Sequence, residues 1–395
     1  MYPNLYYAFK DLFGVEWSAL RFVNSFGFFV AISFIVSAVV LASELRRKSK
    51  EGLFQPTEMP VMVGQPASMA DLALNFFLGF LLGYKIVALF IMDNSATEDP
   101  QAFIFSTLGS WPAGIILGLL FAGLKWWEKN KQKLDKPEKR IVRIWPQDRV
   151  GEMTIIALIF GLLGAKLFDI FENWSGFLEE PSAYIFSAKG LTFYGGLICA
   201  GLAIWWYARR HKIGFWYLND AFAPTMMLAY SIGRIGCQVA GDGDWGIVNL
   251  KPKPFSWIPD WAWAYRYPHN VNEVGEKIPG CLDNKFCFQL HEPVYPTPFY
   301  EIIACFLLFL LLWSIRKKLK VPGTLFAVYL MLNGMERFFI EKIRVNTRMD
   351  LFGFHATQAE VISSLLFLTG LVLWVFLQRR WNRQKTGAVK PAENL

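Results

Sequence analysis

Tyr230-Ser-Ile-Gly-Arg-Ile-Gly-Cys-Gln-Val-Ala-Gly-Asp-Gly-Asp-Trp-Gly246 is the stretch on which the reading of this chain turns. It sets Arg234 inside an apolar helical run and then opens into a turn rich in glycine and aspartate. A guanidinium stays charged at any workable pH. Holding one at bilayer depth costs roughly 2.5–3.5 kcal/mol even on the lenient insertion scale, so it takes an anionic partner or a water-filled site. Two readings fit. In one, Gly233 and Gly236 let another helix approach closely while Arg234 snorkels to the headgroups. In the other, Arg234 meets an anion, and a lipid phosphate is the anion at hand.

The rest of the chain supplies the setting. Its 395 residues are 54% hydrophobic, 17% aromatic and only 18% charged, too apolar for a soluble domain of that size. Runs near 20 apolar residues predict an all-α polytopic integral membrane protein. The net charge of +8 is not a nucleic-acid signal, because lysine and arginine sit in short clusters between the apolar runs. The segment from Met1 to Trp17 has neither a basic region nor a small-residue cleavage site before the first span, and reads as mature sequence. Cys199, Cys237 and Cys305 fall in apolar spans as small core residues. Cys281 and Cys287 lie in a polar loop; a disulfide there suits an oxidising compartment, and their spacing does not establish it. No cysteine has metal-ligand spacing, and no metal or cofactor is expected.

About nine membrane helices are predicted, over Ala19–Ser43, Met69–Met92, Phe103–Trp126, Met153–Phe171, Leu191–Tyr207, Asp220–Val239, Pro298–Ile315, Gly323–Ile340 and Thr357–Leu377. Basic clusters at Arg46-Arg47-Lys48, Lys125 to Arg149, Arg209 to Lys212, Arg316-Lys317-Lys318 and Arg379-Arg380 alternate with loops such as Asp93 to Gln101, which are acidic or nearly uncharged. The positive-inside rule then puts the N-terminus outside and the C-terminus in the cytoplasm. Residues 1–150 form the N-terminal helices and 151–380 a membrane core. A small outer-face domain spans 241–296, and residues 381–395 form a disordered cytoplasmic tail. Tryptophans and tyrosines in the outer segment suit the headgroup layer. Phe80-Leu-Leu-Gly-Tyr-Lys85 echoes Gly161-Leu-Leu-Gly-Ala-Lys166, which suggests an extra, duplicated helical hairpin near Met69 to Trp126.

Topology alone brings polar groups to one level. Tyr194, Arg234, Glu301, Arg337 and Glu341 come from four spans and all fall just beneath the outer headgroups. Arg337 and Glu341 are four apart on one helix face, so the carboxylate holds the guanidinium fork. Interhelical ion pairs account for this set as a purely structural layer. Two arginines with one evident local carboxylate favour a phosphate between them. Lys85 and Lys166 are further intramembrane cations, with Asp169 placed to pair with Lys166. The four histidines fall in loops.

The motifs resemble those of bacterial prolipoprotein diacylglyceryl transferases. Gly233-Arg-Ile-Gly236 with its Gly/Asp turn and Trp245-Gly246 resembles the family signature. Leu191-Thr-Phe-Tyr-Gly-Gly-Leu197, Tyr295-Pro-Thr-Pro-Phe-Tyr-Glu301 and Arg337-Phe-Phe-Ile-Glu341 resemble three further family segments, in family order, across Gly151 to Arg379. The resemblance implies a bacterial inner-membrane enzyme that takes a diacylglyceryl group from phosphatidylglycerol. It attaches the group as a thioether to the lipobox cysteine of preprolipoproteins. Tyr194, Arg234, Arg337 and Glu301 then stand at the catalytic positions. Gly233, Gly236, Asp242 and Asp244 line the donor site with Glu341 and the two arginines, and Glu301 or Asp242 is the candidate proton acceptor.

Tyr194 and Tyr295 stand where the family carries histidine, Cys237 where it carries asparagine, and Asn333 where it carries tyrosine. Val23-Asn24 replaces the aromatic-glycine pair of the family's first helix. Phosphate-handling positions survive and the proton-handling one is changed. Two other readings remain: a paralogue with the same lipid site and another acceptor or no catalysis, and an anion transporter. A transporter's site belongs near the midplane between inverted repeats, unlike this outer cluster.

Overall fold

Nine helices of 14 residues or more organise the described residues of the computed structural model, which are 1–88, 103, 106–186, 190, 192–281, 285–346, 348–351 and 354–387. In chain order, and with one two-stranded sheet, they are α1 (Ser25–Lys50), β1 (Thr57–Val63), α2 (Met69–Leu82), α3 (Trp111–Lys131), β2 (Glu138–Ile144), α4 (Val150–Glu172), α5 (Phe193–Arg210), α6 (Phe215–Ala240), α7 (Thr297–Ile315), α8 (Thr324–Glu341) and α9 (Gln358–Gly387). Each overlaps one predicted span. Five helical stretches are long and apolar enough to cross a membrane, over Ser25–Lys50, Met69–Val87, Pro146–Glu172, Thr297–Ile315 and Gln358–Gln384. The chain is a mostly helical membrane protein. The loop expected over Asp93 to Gln101 lies outside the described residues, as do residues 388–395 of the tail; α9 itself continues to Gly387.

The first helix begins and ends later than its apolar run. Asn24 caps it by accepting from Gly27 N at 3.2 Å. The Arg46-Arg47-Lys48 cluster, expected in a loop, forms its last turns. Arg47 bridges Glu44 and Glu51 there at 2.5 and 2.6 Å, and Arg316 reaches Glu44 at 3.1 Å. Basic groups at a helix C-terminus also oppose its dipole.

Two compact units result, and they do not divide at residue 150. The first comprises residues 1–8, 24–54 and 213–395; the second comprises residues 9–23 and 55–212. The reason is helix pairing: α1 packs on α6, far along the chain, while α2 packs on α3 and α4 on α5.

In the first unit, Ala223 and Met227 of α6, Cys305 and Leu312 of α7, and Leu325 and Tyr329 of α8 make a buried apolar core. Gly236 sits where a Cβ would come within 3.1 Å of Phe26 Cα, so α1 and α6 cross closely there. Asp220 accepts from Gly323 N at 2.8 Å and Phe326 N at 3.0 Å, capping α8. Helix α6 ends at Gly241, whose φ of 65° is left-handed. The segment that follows is tied by the Cys281–Cys287 disulfide, a two-stranded pair of Glu276–Lys277 with Phe288–Gln289, and a cluster of Tyr267, Leu290 and Val294.

In the second unit, elements recur at a shift of 81 residues. Thr57–Val63 shifts onto Glu138–Ile144, and the start of α2 at Met69 onto the start of α4 at Val150. Strands β1 and β2 pair antiparallel with Pro60 opposite Ile141, its own counterpart at that shift. Gly83 lies against Gly114 where α2 meets α3, and Gly164 against Gly195 where α4 meets α5. Ser110 N donates to Tyr84 O at 2.9 Å, and Thr192 N, one residue past the matching position, donates to Ala165 O at 3.1 Å. Lys166 lies 3.3 Å from Asp169, as its spacing predicts, whereas Lys85 Nζ donates to the carbonyls of Phe103, Ser106 and Leu108 at 2.7–2.9 Å.

Candidate functional site

Helix α6 presents Tyr230 and Arg234 one turn apart, and α7 contributes Glu301 from just past its first turn. Helix α8 brings Glu336, Arg337 and Glu341, and Arg344 follows just beyond its end. Asp242 and Asp244 come from the turn after α6. All belong to the first unit. That turn is held in place by one side-chain and two backbone bonds: Thr297 Oγ1 donates to Asp244 O at 2.6 Å, Gly246 N to Tyr295 O at 2.8 Å, and Ile247 N to Ile343 O at 2.8 Å. Aspartates after α6 are thereby fixed against the start of α7 and the end of α8.

Glu301, fully buried, is the hub. Its Oε1 accepts from the Tyr230 hydroxyl at 2.9 Å and from Arg337 Nη1 at 3.1 Å. Its Oε2 lies 3.1 Å from Arg234 Nε and 3.7 Å from Arg344 Nη1. Arg337 also reaches Glu341 at 3.1 Å, as the four-residue spacing predicts. Asp244 bonds Arg234 and takes Arg344 Nη2 at 2.5 Å. Three guanidiniums thus interleave with the carboxylates of Asp244, Glu301 and Glu341. Burying such charges is tolerable only because each is paired.

This changes one premise of the sequence reading. Arg234 does not lack a carboxylate: Asp244 and Glu301 both hold it, one from a turn and one from another helix. The case for an anion must therefore rest on exchange. A phosphodiester entering the layer would take over guanidinium bonds that carboxylates now make. Arg344 is already poised for such an exchange, because its Nε and Nη1 are buried without a hydrogen-bond partner.

Outside the spans, Asp242 and Asp244 diverge. Burial and the neighbouring Asp244 push the Asp242 carboxyl up. Burial would raise Asp244 too, but Arg234 and Arg344 overcome it and hold that group at about 2. Cys237, Asp242 and Asp244 offer ligand atoms within 4.8 Å of one another. Asp244 is occupied by two guanidiniums, whose positive charge opposes a bound cation, so the set does not suit a metal.

Of the sequence-derived site residues, Arg234, Arg337, Glu301, Glu341 and Asp244 form one network, with Asp242 accepting from Asp244 N at 3.3 Å. Gly236 serves the α1–α6 crossing, whereas a Cβ at Gly233 would meet nothing within 4 Å. Tyr194 opens α5 in the second unit, its ring edge-on to Phe193. Two members were missed, Tyr230 and Arg344, as was the buried Glu336 nearby. Tyr230 stands four before Arg234, Arg344 three after Glu341, and Glu336 is a carboxylate in an apolar run beside Arg337, so each carried a local signal. His269 and His291 bind elsewhere, to Phe286 O at 2.9 Å and near Glu276 at 3.4 Å.

Fold and site together define a class, a helical membrane protein built around a buried guanidinium–carboxylate centre. The family model for prolipoprotein diacylglyceryl transferase matches residues 110–376, and the chain belongs to that family. A phosphatidylglycerol–prolipoprotein diacylglyceryl transferase of Dehalococcoides mccartyi is 30% identical over 286 residues, covering 71% of this chain and 95% of the relative. Its namesake in Vibrio vulnificus is 27% identical over 281 residues, 70% of this chain and 89% of the relative. That of Corynebacterium efficiens is 29% identical over 248 residues, 62% and 72% respectively.

Proposed function

We propose that this chain transfers a diacylglyceryl group from phosphatidylglycerol to the lipobox cysteine thiol of preprolipoproteins. It is a transferase of lipoprotein biogenesis in a bacterial inner membrane, consistent with its family and apolar helices. The observation that carries the reading is the Glu301 hub, around which Arg234, Arg337 and Arg344 converge. Cleaving the carbon–oxygen bond of the donor turns a phosphodiester into a phosphate monoester with an added negative charge. Guanidiniums fixed in a water-poor layer stabilise charge as it develops. Glu301 receives the thiol proton in this scheme. Glycine at position 233 leaves its surroundings open, and Asp244 and Glu341 orient the forks.

The same proposal includes nine spans with the N-terminus outside and the C-terminus cytoplasmic, and residues 241–296 resting on the outer leaflet. Exposed Leu250, Phe255, Trp257 and Trp261 support that placement, since large amphipathic rings favour the headgroup layer. Tyrosine at 194 and 295 favours one second reading, a paralogue that keeps the lipid site and serves another acceptor. The deciding experiment gives purified protein phosphatidylglycerol and a lipobox peptide and follows thioether formation by mass. Product establishes the transferase. Saturable lipid binding without product establishes the paralogue.

A further inference from the structure

In the second unit, Thr57–Val63 pairs with Glu138–Ile144 along the whole of both strands, and among the described residues no third strand joins them. A two-stranded ribbon is at best marginal in water and needs a surface to pack on. Alternation sorts its side chains. Met59, Val61, Val142 and Ile144 share one face, whereas Glu58, Met62, Lys139, Ile141 and Arg143 share the other. The first face looks toward the helix ends. Thr57 Oγ1 donates to His211 O at 3.4 Å, just past α5, and Arg149 Nη2 donates to Met59 Sδ at 3.3 Å, at the start of α4. Protein covers that face only in part, for Met59, Val61 and Val142 remain 39–41% exposed. The opposite face carries the Glu58–Arg143 ion pair at 3.1 Å.

The ribbon is tethered at both ends. Strand β1 ends at Val63 and a stretch long and apolar enough to cross a membrane opens at Met69; β2 ends at Ile144 and another opens at Pro146. The strands run antiparallel, so these stretches leave from opposite ends of the ribbon. Few of their residues are buried by protein. Positive charge gathers beside one end. Lys129, Lys131, Lys133 and Lys136 stand close together with Asp135 the lone acid among residues 129–137. Leu134 N donates to Gly64 O at 3.2 Å, which holds this run against the end of β1. Lys131 Nζ lies 5.5 Å from the centre of the exposed Trp127 ring.

We propose that the ribbon face carrying Met59, Val61 and Val142 rests on anionic phospholipid, with its apolar side chains at the acyl boundary and the neighbouring lysines on headgroup phosphates. Juxtamembrane lysines attract an anionic leaflet at close range, and rings such as Trp127 favour the same layer. The lipid surface then supplies the packing that two strands alone lack.

A photoreactive benzophenone amino acid, placed singly at Val61, Val142 or Ile141, reads out what each face touches. Each full-length protein is reconstituted in nanodiscs of phosphatidylcholine mixed with phosphatidylglycerol, irradiated, and its adducts identified by mass. Positions 61 and 142 should capture phospholipid, and position 141 on the opposite face should capture little. Phosphatidylglycerol should be enriched among the adducts about fivefold or more over its share of the disc, the effect of one lysine near an anionic surface. Combining Lys131→Gln, Lys133→Gln and Lys136→Gln should abolish that enrichment. Absence of lipid adducts at both 61 and 142, equal capture at 141, or adducts that merely follow disc composition would overturn the proposal. Cross-links from 61 and 142 to a second copy of the chain instead of lipid would overturn it too, and would make this face a protein interface.

Discussion

Asp244→Asn separates the ion layer from the chemistry. The Asp244 carboxyl is held at about 2 against an ordinary 3.8, because Arg234 and Arg344 outweigh the opposing effect of burial. One pKa unit corresponds to about 1.36 kcal/mol. With the side chain 31% exposed and partly screened, the two ion pairs contribute about 2 kcal/mol to folding. The sign follows from the folded value lying below the unfolded one. This stability is fully present above about pH 4 and is lost as pH falls through about 2. Denaturation of wild type and Asp244→Asn in detergent micelles, followed by tryptophan fluorescence, should therefore show the variant weaker by about 2 kcal/mol near neutral pH. The gap should close on acidification below about pH 4. Equal stabilities at neutral pH, or a gap that persists undiminished into strong acid, would refute the reasoning.

Other outcomes follow from the same geometry. Arg234→Ala and Arg337→Ala should each abolish thioether formation while the protein still inserts, and Arg234→Lys should rescue poorly because an ammonium lacks the bidentate fork; full activity in the lysine variant would make the residue a structural cation. Glu341→Gln should reduce activity less than either alanine change, measured as kcat/KM, since its bond only orients Arg337. Cysteines placed between Lys129 and Arg149 should resist labelling from outside intact spheroplasts; labelling there would reverse the proposed topology.

The helices were legible because apolar length is a local property, and all nine predicted spans overlap long helices. Their ends were less so. Helix α1 runs on through Lys50 because Glu44, Glu51 and the distant Arg316 stabilise Arg47 and its neighbours, pairings that a hydrophobic run does not encode. The disulfide could not be read from spacing, because closure of Cys281 on Cys287 depends on the path of the loop between them. The echo between Phe80–Lys85 and Gly161–Lys166 was visible in sequence, but only backbone contacts reveal that strands, helix starts and glycine crossings recur at one shift.

By itself the sequence determined the apolar character of this protein, the order of its helices, and the presence of arginines and glutamates within or beside apolar runs, because hydrophobicity acts residue by residue. Pairings were decided only in three dimensions. Arg234 looks unpartnered along the chain and is held by Asp244 and Glu301 in the fold. Glu301 reads as an isolated acid at a helix start and becomes the hub of three guanidiniums. Glu336 reads as one more charge beside Arg337 and is left without a hydrogen-bond partner. The reason is that Coulomb and hydrogen-bond energies depend on separations of a few ångströms between helices far apart in sequence, and those separations are set by how the apolar faces of α6, α7 and α8 pack.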